Sequence, residues 1–250
     1  MASPVRYSKG VTNVSSGKTM GQLLCPDPTL VVTYFNDFFK FDPSEWITTR
    51  SESTPAQTAT HSNSYEQVTD ATNGILACVT PALDDDYVFF QYGGAEYDAT
   101  ADAPRELFTM ISGKKLWFKA NLKCNDVDAA DFYTGLFVTD TSPVASAPSD
   151  GLWFISDDGD AYLDFHLYKS SASQLSRTAM ATLTDDTLFS VGAYWDGVDT
   201  VQVFYNDVLQ AEGTGITPAT SELTISFGIQ NGSAAASTLS MDYICVIRER

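Results

Sequence analysis

Positive charge is scarce in this 250-residue chain: 14 Lys and Arg stand against 32 Asp and Glu, for a formal net charge of −18. Such a surface repels phosphate backbones and anionic lipid over a Debye length of about 8 Å, which argues against nucleic acid and membrane as partners. Histidine is nearly missing, with only His61 and His166. A Ser/His/Asp triad would have to use one of them, no Gly-x-Ser-x-Gly elbow accompanies either, and both read as surface residues. Cys25, Cys78, Cys124 and Cys245 are far apart and lack C-x-x-C spacing. That argues against a zinc site or a thioredoxin-like redox pair and predicts buried free thiols. No apolar run approaches the roughly 20 residues that span a bilayer, and Met1 to Ser16 lacks the continuous apolar stretch of a secretory signal, so a soluble, cytoplasmically made product is expected. Helical periodicity is absent over any three turns; a short helix near Pro104 to Met110 is the one exception expected.

What the chain does contain is alternation. With 44% hydrophobic and 12% aromatic residues it is long enough for one large all-β domain with a substantial core. In the stretch from Ser221 to Arg250, Leu223, Ile225, Phe227 and Ile229 alternate with Thr224, Ser226, Gly228 and Gln230. Period two marks a strand with one face in a core. After Asn231-Gly232-Ser233, Leu239, Met241, Tyr243, Cys245 and Ile247 resume the alternation; Ile244 and Val246 make the other face apolar too, as in a central strand. Leu116, Phe118, Ala120, Leu122 and Cys124 form a third such run, and Leu163, Phe165 and Leu167 a fourth. Further strands are predicted at 74–80, 87–92, 132–139, 152–156, 188–195, 200–205 and 208–212, and Asn206-Asp207 suits a tight hairpin turn at positive φ. About a dozen short strands separated by turns describe a two-sheet antiparallel β-sandwich over residues 31–250.

Residues 1–30 differ. They are rich in Ser, Thr, Gly and Pro and carry Arg6, Lys9 and Lys18 against the single acid Asp27. This composition forms no core and reads as an extended N-terminal arm. Its basic sign complements the acidic body, so Arg6, Tyr7, Lys9, Val11 and Lys18 are the candidate partner-binding residues, with neighbouring subunits the expected partner.

The order of motifs in the body is distinctive: Asp150-Gly151-Leu152-Trp153-Phe154, Asp157-Asp158-Gly159, Tyr194-Trp195-Asp196-Gly197, Phe227-Gly228-Ile229-Gln230-Asn231-Gly232 and Met241-Asp242-Tyr243. Together with Tyr34-Phe35-Asn36-Asp37-Phe38 and the arm motif Arg6-Tyr7-Ser8-Lys9-Gly10-Val11-Thr12, it resembles the concanavalin A-like lectin/glucanase jelly-roll domains of tailed-bacteriophage virion proteins, over nearly the whole chain. The resemblance implies a concanavalin A-like jelly roll and a non-enzymatic capsid decoration or cement protein on the outer surface of the virion. Its partners would be the major capsid protein and copies of itself, as a homotrimer; a tail, fibre or glycan-binding module for host attachment is the alternative.

The same fold carries glycanases, so the residues themselves must be read. A retaining glycosidase needs two carboxylates about 5–5.5 Å apart. The resemblance places them in a Glu-x-Asp-x-Glu or Glu-x-Asp-x-x-Glu strand, and no such pattern is present; Glu96-Tyr97-Asp98 supplies half of one, and Asp158-Gly159-Asp160 with Asp164 is a second near miss. No catalytic residue, cofactor or metal is therefore expected. Of the acidic turns at Asp84-Asp85-Asp86, at Asp126-Val127-Asp128 with Asp131, and at Asp157 to Asp160, the last gives Asp157, Asp158 and Asp160 as the candidate Ca²⁺ ligands. Trp117, Tyr133, Tyr162 and Tyr168 alternate with presumed core residues and are the candidate aromatics for a glycan or a protein interface.

Overall fold

The computed structural model of the protein describes residues 30–51, 65–68, 74–93, 107–140 and 143–250. Along the chain run β1 (Val31–Asn36), β2 (Trp46–Arg50), β3 (Tyr65–Gln67), β4 (Leu76–Val79) and β5 (Tyr87–Tyr92). Then come β6 (Leu116–Cys124), β7 (Ala130–Phe137), β8 (Gly151–Ser156), β9 (Tyr162–Lys169) and β10 (Ala172–Thr182). The last five are β11 (Phe189–Trp195), β12 (Val201–Tyr205), β13 (Val208–Gly213), β14 (Thr224–Asn231) and β15 (Thr238–Glu249). One short 3₁₀ turn, Pro43–Glu45, is capped by Asp42, whose carboxylate accepts the Ser44 N–H. Among the described residues no helix is long and apolar enough to cross a membrane.

The strands form two antiparallel sheets. One has eight strands in the order β13-β12-β11-β6-β15-β4-β3, with β1 also paired to β15; the other has seven, β10-β9-β8-β7-β14-β5-β2. The core lies between them. Leu116, Phe118, Ala120, Leu122 and Cys124 of β6 meet Leu223, Ile225, Phe227 and Ile229, and Leu163, Phe165 and Leu167 of β9 enter the same cluster. Each large apolar side chain buried this way contributes about 1.5–3 kcal/mol. The expected sandwich is the observed one, and Cys78, Cys124 and Cys245 are buried free thiols. Asn206 and Asp207, at φ 48° and 62°, close the β12–β13 hairpin as expected.

Three expectations are corrected. β15 is central, between β6 and β4 with β1, but it does not keep one alternation throughout. A bulge at Asp242 shifts the register, so Leu239, Met241, Ile244 and Val246 all enter the core while Tyr243, Cys245 and Ile247 turn outward. One extra residue flips every side chain beyond it. The described part of the predicted 104–110 helix is extended, because Phe108 bridges Leu223. β10 has no counterpart in the predicted strands; it is a polar edge strand in which only Leu175 is buried.

Candidate functional site

Side chains of the seven-stranded sheet that do not enter the core stand together on its outer face. The register aligns Phe89, Gly228, Tyr133, Ile155 and Asp164 in one row across the sheet. The next row runs Gln91, Ser226, Gly135, Trp153, His166 and Ser176.

The middle of this face is filled by the protein's own rings. Phe89, Tyr133, Phe137, Trp153 and Ile155 form a second buried cluster, and Tyr87, Val144 and Tyr168 pack against it. Trp153 is 2% exposed and Tyr133 1%. Two glycines make the filling possible: a Cβ on Gly135 would stand 2.6 Å from the Trp153 Cα, and one on Gly228 would stand 2.5 Å from the Phe89 ring. The buried polar groups there serve one another. Gln91 Nε2 donates to Ser226 Oγ at 3.1 Å, and its Oε1 accepts the Asp140 N–H at 3.1 Å. The Tyr133 hydroxyl has no hydrogen-bond partner among the described residues, and burial pushes its pKa well above the ordinary value. Such a face is closer to an inner core than to an open cleft.

Polar chemistry is confined to the rim. Ser176 Oγ lies 3.1 Å from His166 Nδ1, a contact made because the two residues are direct cross-strand partners. The imidazole stands 5.6 Å from the Trp153 ring and 5.9 Å from the Tyr168 ring. Burial lowers its pKa against the opposing pull of the Asp164 and Asp157 charges. Asp157 is raised, first by burial and then by Asp164. Asp164 already accepts the Ala179 N–H at 2.8 Å, and Asp160 the Tyr162 N–H at 2.9 Å, so both carboxylates hold backbone.

Beyond the rim the sheet ends in acid. Asp131 accepts the Asp158 N–H at 2.7 Å, yet burial and the charges of Asp158, Asp157 and Asp85 raise its pKa to about 6. Asp126, Asp128 and Asp185, from the β6–β7 and β10–β11 loops, bring their carboxylate oxygens within 4.8 Å of one another. A hydrogen bond between Asp126 and Asp128 raises Asp126, with burial and the Asp128 and Asp185 charges adding to it. Three hard oxygen donors suit a divalent cation, which would draw its remaining ligands from water.

No protein-family model matches the chain, and no curated protein matches it by sequence. In structure it is similar to peanut lectin, with a TM-score of 0.54 and 9% identity over 87% of this chain and 97% of the lectin. It is similar to a prokaryotic β-1,3-1,4-glucanase (lichenase) derived from a mouse hindgut metagenome, with a TM-score of 0.55 and 13% identity over 86% of this chain and 98% of that one. A protein of unknown function from Shewanella oneidensis MR-1 gives 0.56 and 14% over 88% and 87%. The fold is the concanavalin A-like lectin and glucanase jelly roll. At these identities the likeness carries the fold and no residue role.

The jelly roll distributes the sequence-derived candidates widely. Tyr133, Tyr162 and Tyr168 share the outer face of the seven-stranded sheet, while Trp117 lies on the far side of the sandwich beside Val31, Cys245 and Ile247. Of the three tyrosines, Tyr133 is buried, Tyr168 is half-buried and Tyr162 is 44% exposed. Asp157, Asp158 and Asp160 do not converge as a ligand set: Asp160 binds the Tyr162 N–H, and the Asp158 backbone binds Asp131. The carboxylate group that the described residues do bring together pairs the Asp126-Val127-Asp128 turn with Asp185, a residue with no neighbouring motif in sequence. Ser176 was equally hidden, because its strand lacks apolar alternation. Arg6, Tyr7, Lys9, Val11 and Lys18, like His61 and Glu96-Tyr97-Asp98, lie outside the described residues.

Proposed function

We propose that the chain is a non-catalytic structural protein of a tailed-phage virion, a decoration or cement protein that sits on the outer surface of the capsid and clamps neighbouring subunits. The observation that supports the non-catalytic part is the filled outer face of the seven-stranded sheet, where Phe89, Tyr133, Phe137 and Trp153 pack together and are buried. The virion part rests on the order of sequence motifs, from the arm motif at Arg6 to Met241-Asp242-Tyr243, and on the opposite signs of arm and body. Partners on this reading are the major capsid protein and copies of the chain itself, as a homotrimer. The test is co-sedimentation of the purified full chain with heads assembled from the major capsid protein of the phage that encodes it. Saturation at a fixed number of copies per capsomer is expected; the absence of any association with heads would refute the reading.

A second reading, binding of a host or environmental glycan, is favoured by the exposed rim. Tyr168 stands 5.9 Å from the His166 ring there, the exposed Tyr162 lies on the same face of the strand, and the Asp164 charge adds to burial in raising Asp157. On that reading Tyr162→Ala abolishes retention on polysaccharide and leaves head binding intact. If the rim also cleaved glycan, turnover would be present in the wild type and lost in Asp164→Asn.

A further inference from the structure

We infer that the outer face of the eight-stranded sheet is the receptor for the N-terminal arm, residues 1–29, of a second copy of this chain. The inference deepens the structural reading above and rests on it. The face is laid out by register: Thr33, Ile247, Trp117, Tyr194, Gln202 and Glu212 form one row. Beside it run Phe35, Cys245, Lys119, Gly192, Phe204 and Leu209. Two aromatic pairs stand out of it, Trp117 with Tyr194 at 5.4 Å and Phe35 with Tyr243 at 6.3 Å. Phe35 is 56% exposed and Leu209 48%, at the two ends of a six-strand row whose middle, Cys245, Lys119 and Phe204, is buried, while the rings of Trp117, Tyr194 and Tyr243 are half-buried. Half-buried aromatic rings of this kind, apolar in body and polar at the tip, are the side chains on which interfaces are built.

Charge selects the occupant. The two cations in the middle of the face are neutralised: Lys119 pairs with Asp207 at 2.5 Å and Lys123 with Asp186 at 2.8 Å. Among the described residues Glu212, Asp242 and Glu249 instead meet neutral donors, from Gln202, Asn121 and the Lys115 backbone. A face of half-buried aromatic rings edged by acids with no ion-pair partner among the described residues fits a segment with a few apolar side chains and several cations, which is what Arg6, Tyr7, Lys9, Val11 and Lys18 supply.

Topology brings the segment to the right place. The arm joins the body at Leu30, immediately before β1, the strand that carries Phe35 at the edge of this face. Its 29 residues reach up to about 95 Å when extended, against about 30 Å for the nine residues of β6. The arm is thus long enough to leave its own sandwich and lie across the next. Head-to-tail contacts of this type close into a ring where the rotation between copies closes, and otherwise run on as a filament.

The test is sedimentation equilibrium of the full chain across concentration. The wild type is expected to associate. Charge reversal of the arm (R6E/K9E/K18E), or of the face (E212K/D242K), is expected to weaken association by about tenfold or more, and the two sets together in one chain are expected to restore it. With p-benzoylphenylalanine in place of Tyr7, photocrosslinks should join two chains at peptides containing Trp117, Tyr194 or Tyr243. A wild type that stays monomeric, association untouched by arm reversal, no rescue in the combined chain, or crosslinks confined to one chain would each overturn the inference. Self-association as described without binding to heads would remove the virion reading and leave this one standing; head binding by a monomeric, arm-reversed chain would do the reverse.

Discussion

Gly135 lies directly beside Trp153 across the β7–β8 ladder, in a space that any Cβ would invade. The indole therefore reads as a core residue that happens to be on the outside of a sheet. Trp153→Ala should cost about 3–5 kcal/mol in denaturant unfolding, as core truncations do. Tyr162→Ala, at a position 44% exposed, should stay within about 1 kcal/mol of the wild type.

Asp131 provides a second check. Its folded pKa, raised to about 6 by burial among other acids, lies above the ordinary carboxylate value of 3.8. The native state then holds a proton that the unfolded chain releases, so stability is present in full below pH 4 and declines as pH rises through about 6. Asp131→Asn keeps an oxygen for the Asp158 N–H and removes the buried charge. It should raise stability at pH 7.5 by about 1–2 kcal/mol, a few degrees in melting temperature, and flatten the pH dependence between 4 and 6.

His166 works in the opposite direction. Burial lowers its pKa below 6.5, with Asp164 and Asp157 only partly compensating. Protonation then favours the unfolded chain, so its contribution is complete above pH 6.5 and is lost as pH falls towards the folded pKa. An imidazole titration by nuclear magnetic resonance should place the midpoint below 6.5, and Asp164→Asn should lower it further by removing the main supporting charge.

Lys119 is a cation buried in the outer face of the eight-stranded sheet and paired with Asp207. Asp207→Asn retains a residue that accepts the turn's positive φ and strands the ammonium, at an expected cost of about 1–3 kcal/mol. Lys119→Met combined with Asp207→Asn should recover most of that loss, measured in the same denaturant titration.

Much of the fold was legible because burial on one side imposes period two. β6, β9 and β14 place Phe118, Phe165 and Phe227 where alternation puts them. Alternation is blind to a bulge, and Asp242 therefore reverses half of β15 without any compositional sign. It is also blind to a polar edge strand, which hid β10 and with it the Ser176 partner of His166. The filling of the outer face was beyond sequence for a different reason. Tyr133 and Tyr162 both alternate with core residues, and only the packing of Phe89, Phe137 and Val144 around Tyr133 separates a buried ring from an exposed one. The Asp126, Asp128 and Asp185 group joins loops 57 or more residues apart, a distance no spacing rule covers.

The sealed face is tested most directly by fluorine magnetic resonance of the full chain labelled with 5-fluorotryptophan, reading each resonance's shift between H₂O and D₂O. Single Trp→Phe variants assign the four signals. At a concentration at which the chain is monomeric, Trp153 should show no solvent shift, like Trp46 and Trp195, while half-buried Trp117 shows a clear one. A full solvent shift at Trp153, moved further by added oligosaccharide, would mean an open glycan groove and would contradict the account.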